Sequence, residues 1–319
     1  MYDAIAIGEL LIDFTCRSQD AQGYPTMEAH PGGAPANFLA AINRFGGKTA
    51  LLGKVGSDAF GHLLRGTLEQ AGIDNTGVLV DPAVFTTLAF VTLDSHGDRE
   101  FSFARKPGAD TMIRKEELNL DLLDQARLLH FGSLSLTDEP ARSATQFAVA
   151  YARERGKLVS FDPNLRRPLW RDLDEAREQM LWGLGQADMV KISEEEVVFL
   201  FGMQDAKEGA KHIREQYGVK LVFVTLGPDG CWFDNGQACG HVPSLAGIQV
   251  KDTTGAGDIF GGSAVWQVLQ TGKNPADLRQ DELTKAVTFA CTAAGLSTTK
   301  PGGISSVPSL EEVEARING

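Results

Sequence analysis

Glycines and two acidic residues stand together in the segment Asp252–Phe260, which reads Asp-Thr-Thr-Gly-Ala-Gly-Asp-Ile-Phe. Apolar residues recur at helical spacing over positions 259–269, so Gly255 and Gly257 fall where a loop enters a helix. The first N–H groups of a helix attract anions, and glycine lets phosphate oxygens approach the backbone without a Cβ in the way. The segment therefore predicts an anion site suited to a phosphoryl group.

Asp258 lies inside this anion-binding turn, where an additional negative charge is electrostatically unfavourable. A carboxylate in such a place is suited to act as a general base. It would take a proton from a hydroxyl while the backbone amides hold the charge that builds on a transferring phosphoryl group. A glycine-rich turn whose aspartates, Asp252 and Asp258, merely cap the helix is an equally good interpretation of the spacing alone.

Two segments near the N-terminus carry groups that could bind the hydroxyls of a polyol. The apolar residues 4–7 and 10–12 predict one interrupted, buried strand, and Asp13 follows it, where a carboxylate can accept hydrogen bonds from a ligand. The pair Gly32-Gly33 precedes a predicted helix near Asn37, whose amide both donates and accepts hydrogen bonds. A solvated strand end and a capped helix start are the alternative interpretations.

Helices and strands alternate regularly from about position 118 to 225, which is the pattern of a largely parallel sheet covered by helices on both faces. Predicted strands end at three polar segments, Asp162–Arg166, Lys191–Glu196 and Thr225–Gly230. Ligands of such α/β folds bind at the carboxyl ends of the strands. We therefore expect these segments and the Gly255 loop to meet at one edge of the sheet.

Residues 87–103 break this alternation, because two short apolar stretches around the turn Ser95–Asp98 predict a β-hairpin. A hairpin inserted over a site often acts as a lid. The sequence shows no repeat or interdomain linker. We expect a single α/β domain over residues 1–319, with a small inserted β lid formed by about 12–31 and 85–106.

The composition limits the classes of partner. A formal net charge of −12 at pH 7 disfavours nucleic acid or an anionic membrane surface as the main partner. No apolar run reaches the length of about 18 residues that a membrane span needs, and the N-terminus lacks the features of a signal peptide. The 4 cysteines have neither metal-ligand nor disulfide spacing. We expect a soluble, cytoplasmic protein.

Several familiar motifs are absent from the sequence. No Gly-Lys pair satisfies the Walker A pattern GxxxxGK[ST], and no GxGxxG follows the first predicted strand. The sequence also lacks HExxH, a zinc-ligand cluster and the GxSxG elbow. Phosphoryl transfer at the N-terminus of a helix is the chemistry that the remaining pattern favours.

Four segments occur in the order typical of one family. They are Gly8-Glu9 with Asp13, the run Gly32–Asn37, the run Gly53–Gly61 and the run Asp252–Phe260. Together they resemble the ribokinase/fructokinase family of sugar kinases, also called the phosphofructokinase-B family, over nearly the whole chain. The last two runs resemble its two signature regions. The resemblance implies a ribokinase-like fold with a small β lid.

The resemblance implies roles for individual residues. Asp258 matches the catalytic base of the family. The anion hole for the γ-phosphoryl group of ATP corresponds to Gly255, Ala256 and Gly257. The positions that hold sugar hydroxyls correspond to Asp13, Gly32, Gly33 and Asn37. The positions around ATP correspond to Lys191, Ser193, Thr225, Gly227, Gly230 and Gly257.

The resemblance also implies metal ions. Glu196 matches an acidic residue that helps to organise Mg²⁺ through water, although Ser193 stands where the commonest family motif has asparagine. Because serine is shorter, the contacts with metal and phosphate there are expected to differ. Many members bind a monovalent cation behind the anion hole, and we expect K⁺ held mostly by carbonyl oxygens. The candidate residues are Asp252, Thr254, Ser297, Lys300, Gly302 and Ser306.

Three segments resemble fructokinases more than ribokinases, namely Phe103–Asp110, Phe131–Leu136 and Phe161–Arg166. The resemblance implies that ATP phosphorylates fructose on its 6-hydroxyl. A neutral sugar does not require two arginines, so Arg105 and Arg166 could instead bind the carboxylate of 2-keto-3-deoxygluconate. Ribose and aminoimidazole riboside are further alternatives, and Arg166 could equally serve the phosphates of ATP.

A non-catalytic regulator that binds sugar or nucleotide is the alternative from another class. The intact Asp258 and the intact run Gly255–Gly257 speak against it. In the family that the chain resembles, the lid hairpins of two subunits often pair. The predicted strands 87–93 and 99–103 are compatible with such a homodimer, since unpaired strand edges invite partners.

Overall fold

The computed structural model describes residues 1–93 and 99–319, so the predicted turn Ser95–Asp98 lies outside the described residues. The strands are β1 (Tyr2–Ile7), β2 (Leu11–Gln19), β3 (Pro25–Gly32), β4 (Thr49–Gly56), β5 (Val78–Asp81), β6 (Leu88–Leu93), β7 (Arg99–Ala104), β8 (Ala126–Gly132), β9 (Leu158–Asp162), β10 (Met189–Ser193), β11 (Leu221–Thr225), β12 (Cys231–Asp234) and β13 (Cys239–Val242). The helices are α1 (Ala34–Arg44), α2 (Ala59–Gln70), α3 (Leu120–Asp124), α4 (Ala141–Glu154), α5 (Leu173–Gln186), α6 (Glu194–Phe201), α7 (Ala206–Tyr217), α8 (Ala256–Thr271), α9 (Gln280–Ser297) and α10 (Leu310–Asn318). Among the described residues, no helix combines the length and the apolar character that crossing a bilayer requires.

The main sheet has nine strands in the order β13-β12-β11-β10-β9-β8-β1-β4-β5. Neighbouring strands are parallel from β5 to β11, while β12 and β13 pair antiparallel. Side chains alternate along β1, so that Ala4 and Ala6 join the core on one face and Ile5 and Ile7 join the core on the other. Helices complete both cores. The predicted α/β fold, with a mostly parallel central sheet covered by helices on both faces, is confirmed.

A smaller, separate sheet has four strands in the order β3-β2-β6-β7. β2 pairs antiparallel with β3 and parallel with β6, and β6 pairs antiparallel with β7. On one face Phe14 stacks on Phe90 with the ring centroids 5.3 Å apart, and its ring also contacts the edge of Phe60 on α2. On the opposite face Leu11 and Asp13 line a cavity that the next section describes.

The prediction of one interrupted strand over residues 4–12 is wrong. β1 ends at Ile7 in the main sheet, whereas Leu11 begins β2 of the small sheet. The chain changes sheet at Gly8, where a Cβ would lie 2.8 Å from Cγ of Pro35. Both stretches are apolar because each is buried in its own sheet, so hydrophobicity cannot tell which partners they pair with.

Gly183 allows α5 to pack directly against β9. A Cβ on Gly183 would stand 2.5 Å from Cζ of Phe161, whose side chain is fully buried. We therefore expect Gly183→Ala to lower the free energy of unfolding by about 1–3 kcal/mol, because the ring has no room to move aside. Urea denaturation of the purified variant measures this change.

Gly185 on the same helix provides the matched control. A Cβ there would meet no atom within 4 Å. Gly185→Ala should therefore raise the free energy of unfolding by about 0.5–1 kcal/mol, as alanine is the better helix former. Equal effects of the two substitutions would contradict the close packing of α5 on β9.

Candidate active site

α8 begins at the glycine-rich segment that the sequence analysis singled out. Gly255 directly precedes Ala256, the first residue of the helix, and has a left-handed backbone with a φ of 74°. A Cβ on Gly255 would stand 3.0 Å from Cα of Gly303 and 3.1 Å from Nδ2 of Asn37. Glycine is therefore required here both for its backbone conformation and for the close approach of α1 and the 303 loop to the N-terminus of α8.

Asp258 lies in the first turn of α8 and accepts a hydrogen bond of 2.9 Å from Nδ2 of Asn37. Burial raises the pKa of Asp258, and this hydrogen bond together with the charges of Lys191 and Arg166 opposes the rise. No side-chain hydrogen bond caps α8 within the described residues, so the alternative interpretation of the segment as a capped turn is not supported. A buried carboxylate of raised pKa next to a helix N-terminus can accept a proton from a hydroxyl.

A cavity of about 280 Å³, here called the first cavity, opens beside Asp258. Of the residues predicted to bind sugar, those that line it are Asp13, Gly33, Asn37, Arg166 and Asp258. Gly32 does not line the cavity. It packs against Asp13 so closely that a Cβ on Gly32 would be 2.1 Å from Oδ2 of Asp13. No individual role was predicted for the lining residues Glu9, Leu11, Val91, Phe103, Leu134 and Asn164. Most of them are indistinguishable from core residues in the sequence, whereas Glu9 is an acid within an apolar run.

Two carboxyl groups in the wall of the first cavity, those of Asp13 and Glu9, have raised pKa values. Burial raises the pKa of Asp13 to about 7, with the charge of Arg166 opposing the rise and that of Asp258 adding to it. Burial likewise raises the pKa of Glu9 to about 7. Oε1 of Glu9 accepts a hydrogen bond of 3.0 Å from the N–H of Ala34 at the start of α1. Carboxyl groups removed from water in this way are well suited to accept hydrogen bonds from a polyol.

Arg105 does not line the first cavity. It is 5% exposed, and its guanidinium donates to Asp110 at 2.8 Å, to Thr137 at 2.8 Å and to the carbonyl oxygen of Leu134 at 2.9 Å. It borders a neighbouring cavity of about 540 Å³, which Phe103 separates from the first. These contacts favour a role in holding the base of β7 in place, and the substrate-binding role of Arg105 stays a prediction.

A cavity of about 380 Å³, here called the second cavity, lies on the other side of the α8 N-terminus. Four of the residues predicted around ATP line it, namely Thr225, Gly227, Gly230 and Gly257. Apolar residues complete its wall, among them Phe260 of the glycine-rich segment and Leu245, Ile248, Val250, Cys291 and Ala294, for which no role was predicted. These last five carry no motif, and only the folding of the segment before α8 and of α9 onto α8 brings them beside the glycines.

The two cavities meet at the glycine-rich loop. Thr253 lines both of them, while Gly255 borders the first and Gly257 borders the second. A group transferred from one cavity to the other would therefore pass the first turn of α8, where Asp258 lies. This shared wall is the geometric feature on which the functional conclusion depends.

Lys191 lies beside the anion-binding loop but lines neither of these two cavities. Its Nζ is 3.1 Å from Oδ2 of Asp162, and a Cβ on Gly257 would be 3.1 Å from the same nitrogen. Burial alone would lower the pKa of Lys191, but the neighbouring carboxylates of Asp162, Glu196 and Asp258 raise it. The ammonium group is thus a buried positive charge next to the predicted phosphoryl site.

Glu196 and Ser193 form a capping box at the start of α6. Oε2 of Glu196 accepts from the N–H of Ser193 at 2.9 Å, and the Ser193 hydroxyl accepts from the N–H of Glu196 at 3.3 Å. Among the described residues, no group of three or more His, Cys, Asp or Glu could hold a metal ion directly. A divalent ion held by phosphate oxygens and water would not need such a cluster.

The candidate cation residues lie on two segments that Asp252 joins. Its Oδ1 accepts from the N–H of Thr254 at 2.9 Å, and its Oδ2 accepts from the N–H of Gly302 at 3.1 Å. Ser297 and Ser306 are buried close in sequence to these segments. The Lys300 side chain is exposed and forms an ion pair of 3.3 Å with Glu312. Its backbone carbonyl is the part of Lys300 that could serve a cation.

Comparisons with known proteins agree with this geometry. A family model described as pfkB family carbohydrate kinase matches residues 1–310. The chain is 41% identical to fructokinase-1 of Zea mays over 97% of this chain and 95% of that protein. The crystal structure of a Xylella fastidiosa fructokinase with bound ATP superimposes with a TM-score of 0.91 at 31% identity, covering 100% of this chain and 99% of that one. A fructokinase double mutant of Vibrio cholerae in fructose-, ADP- and potassium-bound form gives a TM-score of 0.86 at 32% identity, covering 98% of each chain.

Asp13 should make the stability of the protein depend on pH. Its folded-state pKa of about 7 exceeds the ordinary value of 3.8, so the folded protein holds the proton more tightly than the unfolded chain. The resulting cost to stability is absent below pH 3.8, grows as the pH rises and is complete above about pH 7. We expect Asp13→Asn to leave the free energy of unfolding nearly unchanged at pH 4 and to raise it by about 4 kcal/mol at pH 8. Urea denaturation at the two pH values tests this, with the exposed Glu195→Gln as control. A gain that is the same at both pH values would contradict the raised pKa.

Proposed function

Because the chain belongs to the pfkB family of carbohydrate kinases, we propose that it is a fructokinase, transferring the γ-phosphoryl group of ATP to the 6-hydroxyl of fructose. The observation that carries the proposal is the shared wall of the two cavities at the N-terminus of α8. One cavity is polar and acidic, as a sugar requires, and the other is lined largely by apolar residues, as a nucleobase requires.

The lining of the first cavity supports a neutral sugar. Among the described residues that line it, the acids Glu9, Asp13 and Asp258 face a single basic residue, Arg166. This acidic surface disfavours a substrate carboxylate, so 2-keto-3-deoxygluconate fits less well than fructose.

Asp258 is the proposed general base. It takes the proton of the 6-hydroxyl as that oxygen attacks the γ-phosphorus, and the bond from phosphorus to the oxygen of the departing ADP breaks. The N–H groups at Gly255, Ala256 and Gly257 stabilise the charge on the transferring group. Asn37 holds the carboxylate in place through its hydrogen bond of 2.9 Å.

We propose that the reaction uses Mg²⁺, with Glu196 as the acidic residue that contacts its water ligands. The ion would neutralise charge on the phosphates of ATP. The ammonium group of Lys191, which is paired with Asp162, would bring a further positive charge near the same phosphates.

We also propose a K⁺ site behind the anion hole, between the segment that contains Asp252 and the segment that contains Gly302. The support is the hydrogen bond of 3.1 Å by which Asp252 holds the two segments together. The backbone carbonyl oxygens of these segments are ligands of the kind that suits a hard cation. Activity that is equal in potassium and in tetramethylammonium chloride would argue against this site.

The small sheet of β3, β2, β6 and β7 is proposed to act as a lid. Its strands carry Asp13, Val91 and Phe103 into the wall of the first cavity. Closure over fructose would exclude water that could otherwise hydrolyse ATP. Pairing of two such sheets is the proposed route to a homodimer, and a monomeric mass in solution would reject it.

A reducing compartment such as the cytoplasm is the proposed location. Cys16, Cys231, Cys239 and Cys291 are all free thiols in the structure, as is usual for proteins of such compartments. Isolation of the native protein with an intramolecular disulfide would contradict this location.

A panel of sugars tests the proposed activity. ADP release is measured with fructose, 2-keto-3-deoxygluconate, ribose and aminoimidazole riboside, and we expect the highest kcat/KM for fructose. A higher kcat/KM for another member would assign the site to that substrate instead. Sugar binding without ADP release across the panel would favour the non-catalytic regulator.

Asp258→Asn tests the chemistry separately from binding. We expect turnover to fall by a factor of about 10² or more, because the amide cannot accept the proton in the transition state. The affinity for fructose, measured by calorimetry, should change little, since the asparagine oxygen can still accept from Asn37 and its NH₂ group can donate to the sugar hydroxyl, which also accepts hydrogen bonds. Near-normal turnover in this variant would remove Asp258 from the role of base.

A further inference from the structure

The loop that follows β9 holds one residue in an unfavourable backbone conformation. Asn164 has a φ of 42°, in the left-handed region that residues other than glycine rarely adopt. It is 8% exposed and lines the first cavity together with Arg166. Such a conformation persists only where the surroundings hold the backbone in place, and it is frequent at ligand sites.

Three hydrogen bonds fix the backbone of this loop. The N–H of Asn164 donates to Oδ1 of Asp162 at 3.1 Å, and the Ser133 hydroxyl donates to the carbonyl oxygen of Pro163. The N–H of Leu165 donates to Oε1 of Glu196 at 2.7 Å. This last bond is short and charge-assisted, and it acts on the residue between the two that line the cavity.

The second oxygen of Glu196 is fixed at a different strand end. Oε2 accepts from the N–H of Ser193 where β10 passes into α6, and Glu196 as a whole is 7% exposed. One carboxylate therefore links the nucleotide-side segment that begins at Lys191 to the loop on the sugar side. The capping box needs only one of its oxygens, so the bond to Leu165 is an additional function of the same side chain.

We propose that Glu196 is a positioning residue for the sugar, which fixes Asn164 and Arg166 in the wall of the first cavity through the N–H of Leu165. The inference rests on the proposed function, because that cavity is the one assigned to fructose. It goes beyond the role at Mg²⁺, since the bond to Leu165 is made by protein atoms alone. The sugar-binding wall is therefore expected to depend on Glu196 even without nucleotide or metal.

Glu196→Gln separates these two roles. Glutamine keeps the shape of the side chain, but its amide has one acceptor oxygen, and its NH₂ group would face an N–H donor at the other contact. Either Leu165 or Ser193 then loses its partner. Glu195→Gln is the matched control, because Glu195 is the neighbouring residue on α6 and is exposed.

The experiment measures fructose binding by calorimetry in EDTA without nucleotide. Phosphorylation of fructose by the wild-type protein is established first. We then expect Glu196→Gln to raise the Kd for fructose about tenfold and Glu195→Gln to leave it unchanged. A role at Mg²⁺ alone predicts an unchanged Kd in EDTA and a higher Mg²⁺ requirement during turnover. That result would overturn this inference while leaving the proposed function intact.

Amide hydrogen exchange on the wild-type protein gives a second test, which needs no substituted variant and so does not require that a variant fold. In metal-free buffer, the Leu165 amide should exchange slowly, as a buried hydrogen bond protects it. Exchange of this amide at the rate of an unprotected loop would overturn the proposal. Failure of the wild-type protein to phosphorylate fructose would instead refute the proposed function, and the exchange result would still test the bond.

Discussion

The close approach of three chain segments at the N-terminus of α8 is the constraint on which the rest of the site depends. Gly255 faces Cα of Gly303 and the amide of Asn37, and a Cβ on Gly303 would be 2.1 Å from Oδ1 of Asn37. With larger side chains at the two glycines, α1 could not bring Asn37 within hydrogen-bond distance of Asp258. Two residues without side chains thus allow α1 and α8 to approach each other and to share one buried carboxylate.

Buried charge is the second feature that organises the site. Asp162, Glu196 and Asp258 are carboxylates whose pKa burial raises, and Lys191 lies among them as a positive charge. Lys191 attracts all three carboxylates, whereas the carboxylates raise one another's pKa, so holding these charges together out of water carries a cost to stability. Groups perturbed and clustered in this way are typical of functional sites.

Two features of the fold could not be predicted from the local sequence, for physical reasons. Residues 4–12 were predicted as one interrupted strand because two apolar stretches look alike whether they pair in one sheet or in two. Arg105 follows a predicted hairpin, but only the structure reveals that its guanidinium donates to Asp110 and Thr137, and its role toward the substrate stays a prediction. Neither the sheet to which a strand belongs nor the partner of a buried charge is a local property of the chain.

The sequence by itself determined the α/β pattern and the glycine-rich start of α8, since these rest on local backbone requirements that residue types reveal. It also singled out Asp258 as the candidate general base, and it predicted that the three polar strand ends and the Gly255 loop meet at one edge of the sheet. Only the tertiary structure decided which side chains border each cavity and that Thr253 belongs to both. It alone decided the contact of Glu196 with Leu165, residues that are distant in the sequence. Packing and burial bring such groups together, and their partners are set by the whole fold rather than by their neighbours in the chain.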